Sequence, residues 1–220
     1  MKGIILLANG FEDVEMIATL DLLRRASIEV STIGVMNQDN ILSQSKVIYK
    51  CDYLLKDIDI NNYDFLIIPG GKAVFNDLDK PIVETIVESF NKRNKKIGAI
   101  CAAPRILGKM GLLKNRKFTC FPSVKDDIKD GIYQQQATVV VDGNYITSRS
   151  AGTAIDFGLK IIEELLGKAG LADLLAKEYG NYVLLAVYVV VFLISQIIAS
   201  AIRKSRVEKI KNLKRQIKRY

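Results

Sequence analysis

Cys101 is the residue of this sequence best placed to do chemistry. It follows a short apolar run at residues 97–100 and precedes a helical pattern that starts at Arg105. A cysteine in this position lies under the positive end of the following helix, which favours the thiolate over the thiol. The order strand, cysteine, helix also fits a nucleophile elbow, in which a side chain projects above the carboxyl edge of a parallel sheet. Position alone leaves open a second interpretation, a small buried apolar side chain, because many free cysteines serve that purpose.

The partners available to this thiol are restricted, because the sequence contains no histidine. Ser-His and Cys-His catalytic arrangements are therefore excluded, no metal site is expected, and acid–base work falls to carboxylates, lysine, tyrosine or the thiol itself. The other two cysteines, Cys51 and Cys120, show no paired spacing. An odd number of cysteines favours a reducing compartment over a disulfide framework. Neither common phosphate-binding glycine motif occurs, so no nucleotide cofactor is predicted.

The elements that must position Cys101 alternate between strand and helix. Apolar runs predict strands at residues 2–8, 28–35, 64–69 and 96–100, and helical spacing predicts helices at residues 12–26, 81–94 and 153–166. A late strand pair is predicted at residues 137–141 and 145–148. This alternation is typical of a doubly wound α/β sandwich with a mainly parallel sheet.

Chemical groups follow three of the predicted strands, and sites in such sheets lie at the carboxyl ends of strands. Glu15 comes soon after the first strand, Gly70 and Gly71 end the third, and Cys101 ends the fourth. Together they supply a carboxyl group, exposed backbone N–H groups and a thiol, which suits a site for a small electrophile. The two glycines taken alone also fit an ordinary tight turn.

With these pieces assembled, the sequence resembles the ThiJ/PfpI superfamily, and within it the Parkinsonism-associated deglycase-like branch. The resemblance covers residues 1 to about 167 and rests on five segments in the family's order: GFEDVE at 10–15, IIPGG at 67–71, AICAAP at 99–104, CFPSVKDDI at 120–128 and TSRSAGTAIDFGL at 147–159. It implies a flavodoxin-like α/β sandwich, usually a homodimer, that works without a cofactor.

The resemblance also implies roles for particular residues. Cys101 would be the reactive thiol, and Glu15, in its protonated form, would hydrogen-bond the sulfur. Gly70, Gly71 and the backbone at Ala102 would donate N–H groups to an oxyanion. A thiolate held in this way can add to a small dicarbonyl such as methylglyoxal, and proton transfer by Glu15 then yields a hydroxyacid. We therefore expect an enzyme of the glyoxalase III or protein deglycase type.

The sequence departs from relatives at two positions. The protease-like branch carries a histidine directly after its cysteine, where this chain has Ala102, so a histidine-dependent peptidase is not expected. Some members of the nearer branch carry a histidine where Phe121 stands. The pocket then lacks a second acid–base group. Cys120, beside it, is interpreted as a structural residue or as a thiol that resolves an oxidised Cys101.

Two alternatives to an enzyme stay open. In the first, the protein senses oxidative stress or acts as a chaperone-like protein, and Cys101 is oxidised rather than catalytic. A thiolate is readily oxidised to sulfenic and sulfinic acid. In the other alternative, the α/β domain is a dimerising head fused to an unrelated membrane segment.

The composition changes after residue 167. Residues 168–181 predict an amphipathic linker helix, and residues 182–202 contain 21 positions without a charge, the length of a transmembrane helix. The tail at 203–220 holds nine of the 32 basic residues and one of the 24 acidic residues, so the net charge of +8 belongs to it. These features predict a C-terminal helix pair, membrane attachment through 182–202 and tail contacts with anionic lipid, but no nucleic-acid binding.

The side of the membrane on which the domain lies is ambiguous. The positive-inside rule keeps the basic tail in the cytosol and places the domain outside. A free thiol and the lack of a signal-peptide pattern instead favour a cytoplasmic domain. Three arrangements stay open: a cytosolic domain with a tail anchor, an exported amino terminus, and a segment joined from another protein.

Overall fold

The centre of the fold is a parallel sheet built from short, apolar strands. In the computed structural model, which describes residues 1–178 and 180, the strands are β1 (Lys2–Leu7), β2 (Glu29–Gly34), β3 (Asn40–Leu42), β4 (Ile48–Lys50), β5 (Tyr53–Leu54), β6 (Phe65–Ile68), β7 (Lys96–Ile100), β8 (Lys117–Phe118), β9 (Ile132–Tyr133), β10 (Val139–Asp142) and β11 (Tyr145–Ser148).

Seven of these strands form one sheet in the order β10-β11-β7-β6-β1-β2-β5. Its neighbours pair in parallel, except for the antiparallel pair of β10 and β11 at one edge. The predicted α/β class with a mainly parallel sheet is therefore confirmed. The hairpin of β3 with β4 and the short pair of β8 with β9 lie outside this sheet and were not predicted.

The central strands β1, β6 and β7 are buried on both faces, which explains why they are continuous apolar runs and not alternating patterns. Their packing also fixes the register. Gly3 pairs with Phe65 across β1 and β6, and a Cβ on Gly3 would lie 2.0 Å from the Phe65 ring. A side chain at Gly3 would therefore displace a fully buried aromatic residue from the core.

Helices cover this sheet. They are α1 (Asp13–Arg25), α2 (Pro81–Lys92) and α3 (Pro104–Lys109), and residues 154–171 are helical as well. Glu12 caps α1, and Arg24 and Arg25 lie in its last turn, where positive charge favours the helix dipole. Proline at the first helical position begins α2 and α3.

The backbone changes conformation at Gly167, where the sequence predicts one helix to end and a linker helix to begin at residue 168. Gly167 has a φ of +72°, in the left-handed region that a right-handed helix does not use, and residues 154–166 and 168–178 on either side of it are helical. Glycine adopts this left-handed conformation without a steric cost. By its internal contacts the chain divides into a unit at Met1–Leu171 and a unit from Ala172 onward.

The predicted membrane segment at 182–202 and basic tail at 203–220 lie outside the described residues. Among residues 1–178 and 180, no helix has both the length and the apolar character needed to cross a bilayer.

Candidate active site

Glu15 is a buried carboxyl group at the amino-terminal end of α1. It lies in the first turn of the helix, its backbone N–H donates to the Glu12 side chain at 2.8 Å, and it is 1% exposed. The Gly70 N–H donates to its Oε2 at 2.7 Å, which ties the end of β6 to α1. Its other oxygen, Oε1, is buried and accepts no hydrogen bond from an N–H or O–H group of the described residues.

The two glycines after β6 are required by close approach. A Cβ on Gly70 would lie 2.6 Å from Glu15 Oε2 and 2.7 Å from the Cys101 Cβ. Gly71 has a φ of +90°, and a Cβ there would lie 2.4 Å from the Gly10 carbonyl oxygen. These glycines therefore let the backbone reach the carboxyl group and the thiol together, beyond forming a turn.

Cys101 has a strained backbone. Its φ is +62°, in the left-handed region that cysteine rarely occupies. The surrounding structure holds this conformation from both sides: the Cys101 N–H donates to the Ser148 carbonyl at 2.9 Å, and the Cys101 carbonyl accepts the Phe121 N–H at 2.7 Å. A non-glycine residue in this conformation costs on the order of 1–3 kcal/mol, and such strain collects at functional sites. The geometry is that of a nucleophile elbow.

The protonation of Glu15 follows from its burial. Burial raises its pKa from 4.5 to about 7, while the Cys101 thiol and the Gly70 N–H oppose the rise. Because Oε2 accepts the Gly70 N–H and Oε1 accepts no hydrogen bond from an N–H or O–H group of the described residues, we place the acidic proton on Oε1. Glu15 is thus available both as an acid and as a base near neutral pH.

The Cys101 thiol behaves differently from the simple expectation of a helix-activated thiolate. Burial raises its pKa, and the negative charge of the Glu15 carboxylate raises it further; the Ala102 and Gly71 N–H groups act in the opposite direction. The helix that follows, α3, spans only six residues. The thiolate therefore forms when Glu15 holds the proton, because two negative charges in contact cannot both be kept in a buried site.

A pocket of about 440 Å³ opens over Cys101. Its walls come from the ends of several elements, and the lining residues are Glu12, Glu15, Gln44, Gly71, Lys72, Phe75, Cys101, Ala102, Phe121, Ser123, Ser150, Ala151 and Gly152.

The structure brings the predicted site residues together, but with different tasks. Gly71 and Ala102 direct N–H groups toward the Cys101 sulfur. The Gly70 N–H is already used by Glu15, and the N–H of Cys101 is used by Ser148, so neither points into open space. The other two cysteines do not belong to the site. Cys51 and Cys120 are buried, and burial raises the pKa of each thiol to about 12.

Several neighbours of the site were missed from the sequence. Glu12 could have been identified from the sequence. It lies in the GFEDVE segment three residues before Glu15, where a side chain that accepts hydrogen bonds can cap the start of a helix. Gln44, Lys72 and Phe75 carry no comparable signal, because loops that are distant in the chain bring them to the pocket.

Comparison with known proteins decides the family. Residues 1–164 match the DJ-1/PfpI family. The chain belongs to the DJ-1/PfpI family. It is 36% identical to Protein dj-1beta of Drosophila melanogaster over 169 residues, which are 76% of this chain and 90% of that protein. The crystal structure of Drosophila melanogaster DJ-1beta superposes with a TM-score of 0.76 at 34% identity, over 80% of this chain and 96% of that one.

A further DJ-1/PfpI relative carries an activity in its name. The protein named Glutathione-independent glyoxalase DJR-1.2 of Caenorhabditis elegans is 34% identical over 165 residues, which are 74% of this chain and 88% of that protein. These matches confirm the resemblance to the ThiJ/PfpI superfamily over the α/β domain. The DJ-1-like fold also agrees with the predicted flavodoxin-like architecture.

Proposed function

We propose that this DJ-1/PfpI protein is a cofactor-independent glyoxalase or deglycase-like enzyme that acts on small dicarbonyls through Cys101 and Glu15. The observation that carries the proposal is the pair itself: a buried carboxyl group with a pKa of about 7 lies against a thiol on a strained elbow. The glyoxalase name of the Caenorhabditis elegans relative supports the same activity.

The reaction begins with attack by the thiolate. As Glu15 takes the thiol proton, the sulfur of Cys101 adds to the aldehyde carbon of methylglyoxal. A C–S bond forms, and the carbonyl π electrons move onto oxygen. The N–H groups of Gly71 and Ala102, which are directed toward the sulfur, stabilise this oxyanion. The oxyanion then takes the proton back from Glu15, which gives a hemithioacetal and returns Glu15 to its carboxylate form.

Proton transfer then completes an internal oxidation and reduction. The Glu15 carboxylate removes the proton from the former aldehyde carbon, and the resulting enediol is reprotonated at the neighbouring carbon. The former ketone is reduced to an alcohol, while the former aldehyde carbon is oxidised to a thioester of Cys101. Water attacks the thioester, the C–S bond breaks, and lactate leaves. The balance needs water alone, with no external oxidant or reductant.

The test is lactate production from methylglyoxal by the full chain. We expect turnover by the wild type and its loss in Cys101→Ala and Glu15→Gln. Cys51→Ala is a matched control, because Cys51 is a buried thiol that does not line the pocket. Unchanged activity in Cys101→Ala would refute the proposal.

A second function is supported by the contrast among the thiols. Cys101 is partly exposed at the base of a pocket, whereas Cys51 and Cys120 are buried. This contrast supports a sensor of oxidative stress in which Cys101 is oxidised selectively.

We also propose that the protein assembles as a homodimer and is tethered to a membrane. The exposed apolar side chains Val14 and Ile17 on α1 support a dimer surface. The uncharged stretch at 182–202 supports the tether.

A further inference from the structure

Two phenylalanines at the candidate site differ from the others in the described part of the chain. Phe75 is 51% exposed and Phe121 is 43% exposed, and both line the pocket over Cys101. The remaining described phenylalanines are less than 2% exposed and form the core: Phe11, Phe65, Phe90, Phe118 and Phe157. Water contact on an aromatic ring is unfavourable, so two exposed rings at one pocket indicate a surface that an apolar ligand would cover.

Phe121 is fixed relative to the nucleophile. Its N–H donates to the Cys101 carbonyl at 2.7 Å, and it directly precedes a short 3-10 turn at Pro122–Asp127. The backbone of Phe121 is therefore anchored to the reacting residue, and both residues line the same pocket.

Phe75 is held through Arg105. The Arg105 guanidinium lies over the Phe75 ring, 5.2 Å from its centroid. The same side chain forms ion pairs with Asp79 at 3.1 Å and with Asp127 at 2.6 Å. Because Asp127 ends the turn that follows Phe121, one arginine braces both aromatic segments. A braced wall binds a rigid group with little loss of side-chain entropy.

The pocket over Cys101 is larger than methylglyoxal needs. The pocket holds about 440 Å³, within the range of roughly 300–1,000 Å³ typical for drug-sized ligands. Small residues keep the wall beside Cys101 open, namely Gly71, Ala102, Ala151 and Gly152. The methyl group of methylglyoxal is too small to cover both phenylalanine rings, so they would stay exposed to water.

The charges at the pocket favour an uncharged substituent. Lys72 lines the pocket, and within the described residues it forms no ion pair. Glu12 lines the same pocket and carries a charge of opposite sign. An anionic substituent would therefore gain little net attraction, whereas an aryl group can stack on the two rings.

We propose that Phe75 and Phe121 form a specificity wall that selects 2-oxoaldehydes with an aromatic substituent over methylglyoxal. The inference rests on the proposed glyoxalase activity and names its preferred substrate class. Phenylglyoxal is the probe, and its product by the same internal oxidation and reduction is mandelate.

The experiment compares kcat/KM for phenylglyoxal and methylglyoxal in the full chain, with mandelate and lactate measured by chromatography. We expect the wild type to prefer phenylglyoxal by about tenfold or more, because two aromatic contacts that each contribute about threefold to tenfold multiply. Phe121→Ala and Phe75→Ala should each lower kcat/KM for phenylglyoxal by about threefold to tenfold more than they lower kcat/KM for methylglyoxal. Tyr53→Ala is the control, since Tyr53 is an exposed aromatic residue that does not line this pocket.

A wild type with no preference for phenylglyoxal overturns the inference and leaves the proposed function intact. So does a preference that neither phenylalanine variant alters. If neither aldehyde is turned over, the proposed function fails. A binding measurement that needs no turnover then tests whether the pocket prefers an aromatic ligand. Mandelamide should then slow iodoacetamide alkylation of Cys101 more than lactamide at equal concentration, and Phe121→Ala should abolish the difference. Equal protection by the two amides overturns the aromatic wall.

Discussion

The Gly70 N–H donates to Glu15 Oε2 at 2.7 Å, across 55 positions of the chain. This hydrogen bond decides which oxygen of the carboxyl group carries the proton. Oε2 already accepts this N–H, whereas Oε1 accepts no hydrogen bond from an N–H or O–H group of the described residues, so we place the acidic proton on Oε1. The backbone of one strand end thereby orients the acid–base group for a thiol on another strand end.

Replacing Gly70 by alanine should damage the site more than the fold. The added Cβ would lie within 2.7 Å of both Glu15 Oε2 and the Cys101 Cβ, so one of these groups must move. We expect methylglyoxal turnover to fall at least about tenfold, with a loss of about 1–3 kcal/mol in the free energy of unfolding from overpacking. Activity per folded molecule is measured beside urea unfolding.

Gly111→Ala is the matched control for that substitution. Gly111 has a φ of +70°, and an added Cβ would contact no atom within 4 Å. It should lose stability through backbone strain but keep full activity per folded molecule. Full activity in Gly70→Ala would contradict the role given to this contact.

Glu15 should make stability depend on pH. Its pKa is about 7 in the folded protein and 4.5 by its ordinary value, so the folded state holds an extra proton between these pH values. The contribution of Glu15 to the free energy of unfolding is complete below pH 4.5 and is lost as the pH rises through 7. We expect the free energy of unfolding to fall by about 3 kcal/mol across this window.

Glu15→Gln should remove most of this dependence, because glutamine does not titrate. Urea unfolding at about pH 5 and about pH 8 measures the difference, and Cys101→Ala should retain it because the carboxyl group stays buried. An equal dependence on pH in wild type and Glu15→Gln would show that other groups cause it.

Mild peroxide should oxidise Cys101 and spare the other thiols. Cys51 and Cys120 are 5% and 0% exposed, and burial raises the pKa of each to about 12, so neither offers a reachable thiolate. Each oxygen comes from one peroxide molecule, which is reduced to water as the sulfur is oxidised. Peptide mass spectrometry should find added oxygen at Cys101 in the wild type, and none at Cys51 or Cys120 in either the wild type or Cys101→Ser. Equal oxidation of Cys51 would count against a sensor.

The segment at 182–202 should keep the full chain with membranes during carbonate extraction. Its 21 uncharged residues match the apolar thickness of a bilayer. A chain that ends at residue 181 should appear in the supernatant, and protease protection of the full chain reports the side of the domain. Complete release of the full chain by carbonate would exclude the tether.

Much of the fold was predictable because its signals are local. The continuous apolar runs of β1, β6 and β7 predict buried parallel strands. The helical spacing of apolar residues in α1 and α2 predicts which face of each helix is buried. The hairpin of β3 and β4 was missed because strands of three residues carry too short a pattern.

The sequence by itself determined that a thiol ends a buried strand and that no histidine accompanies it. Only the tertiary structure decided that the Gly70 N–H serves Glu15, that burial raises the pKa of both Glu15 and Cys101, and that Phe75 and Phe121 share one pocket. The physical reason is that strand and helix patterns arise from neighbouring residues. Desolvation and hydrogen bonding depend instead on which atoms distant segments bring into contact.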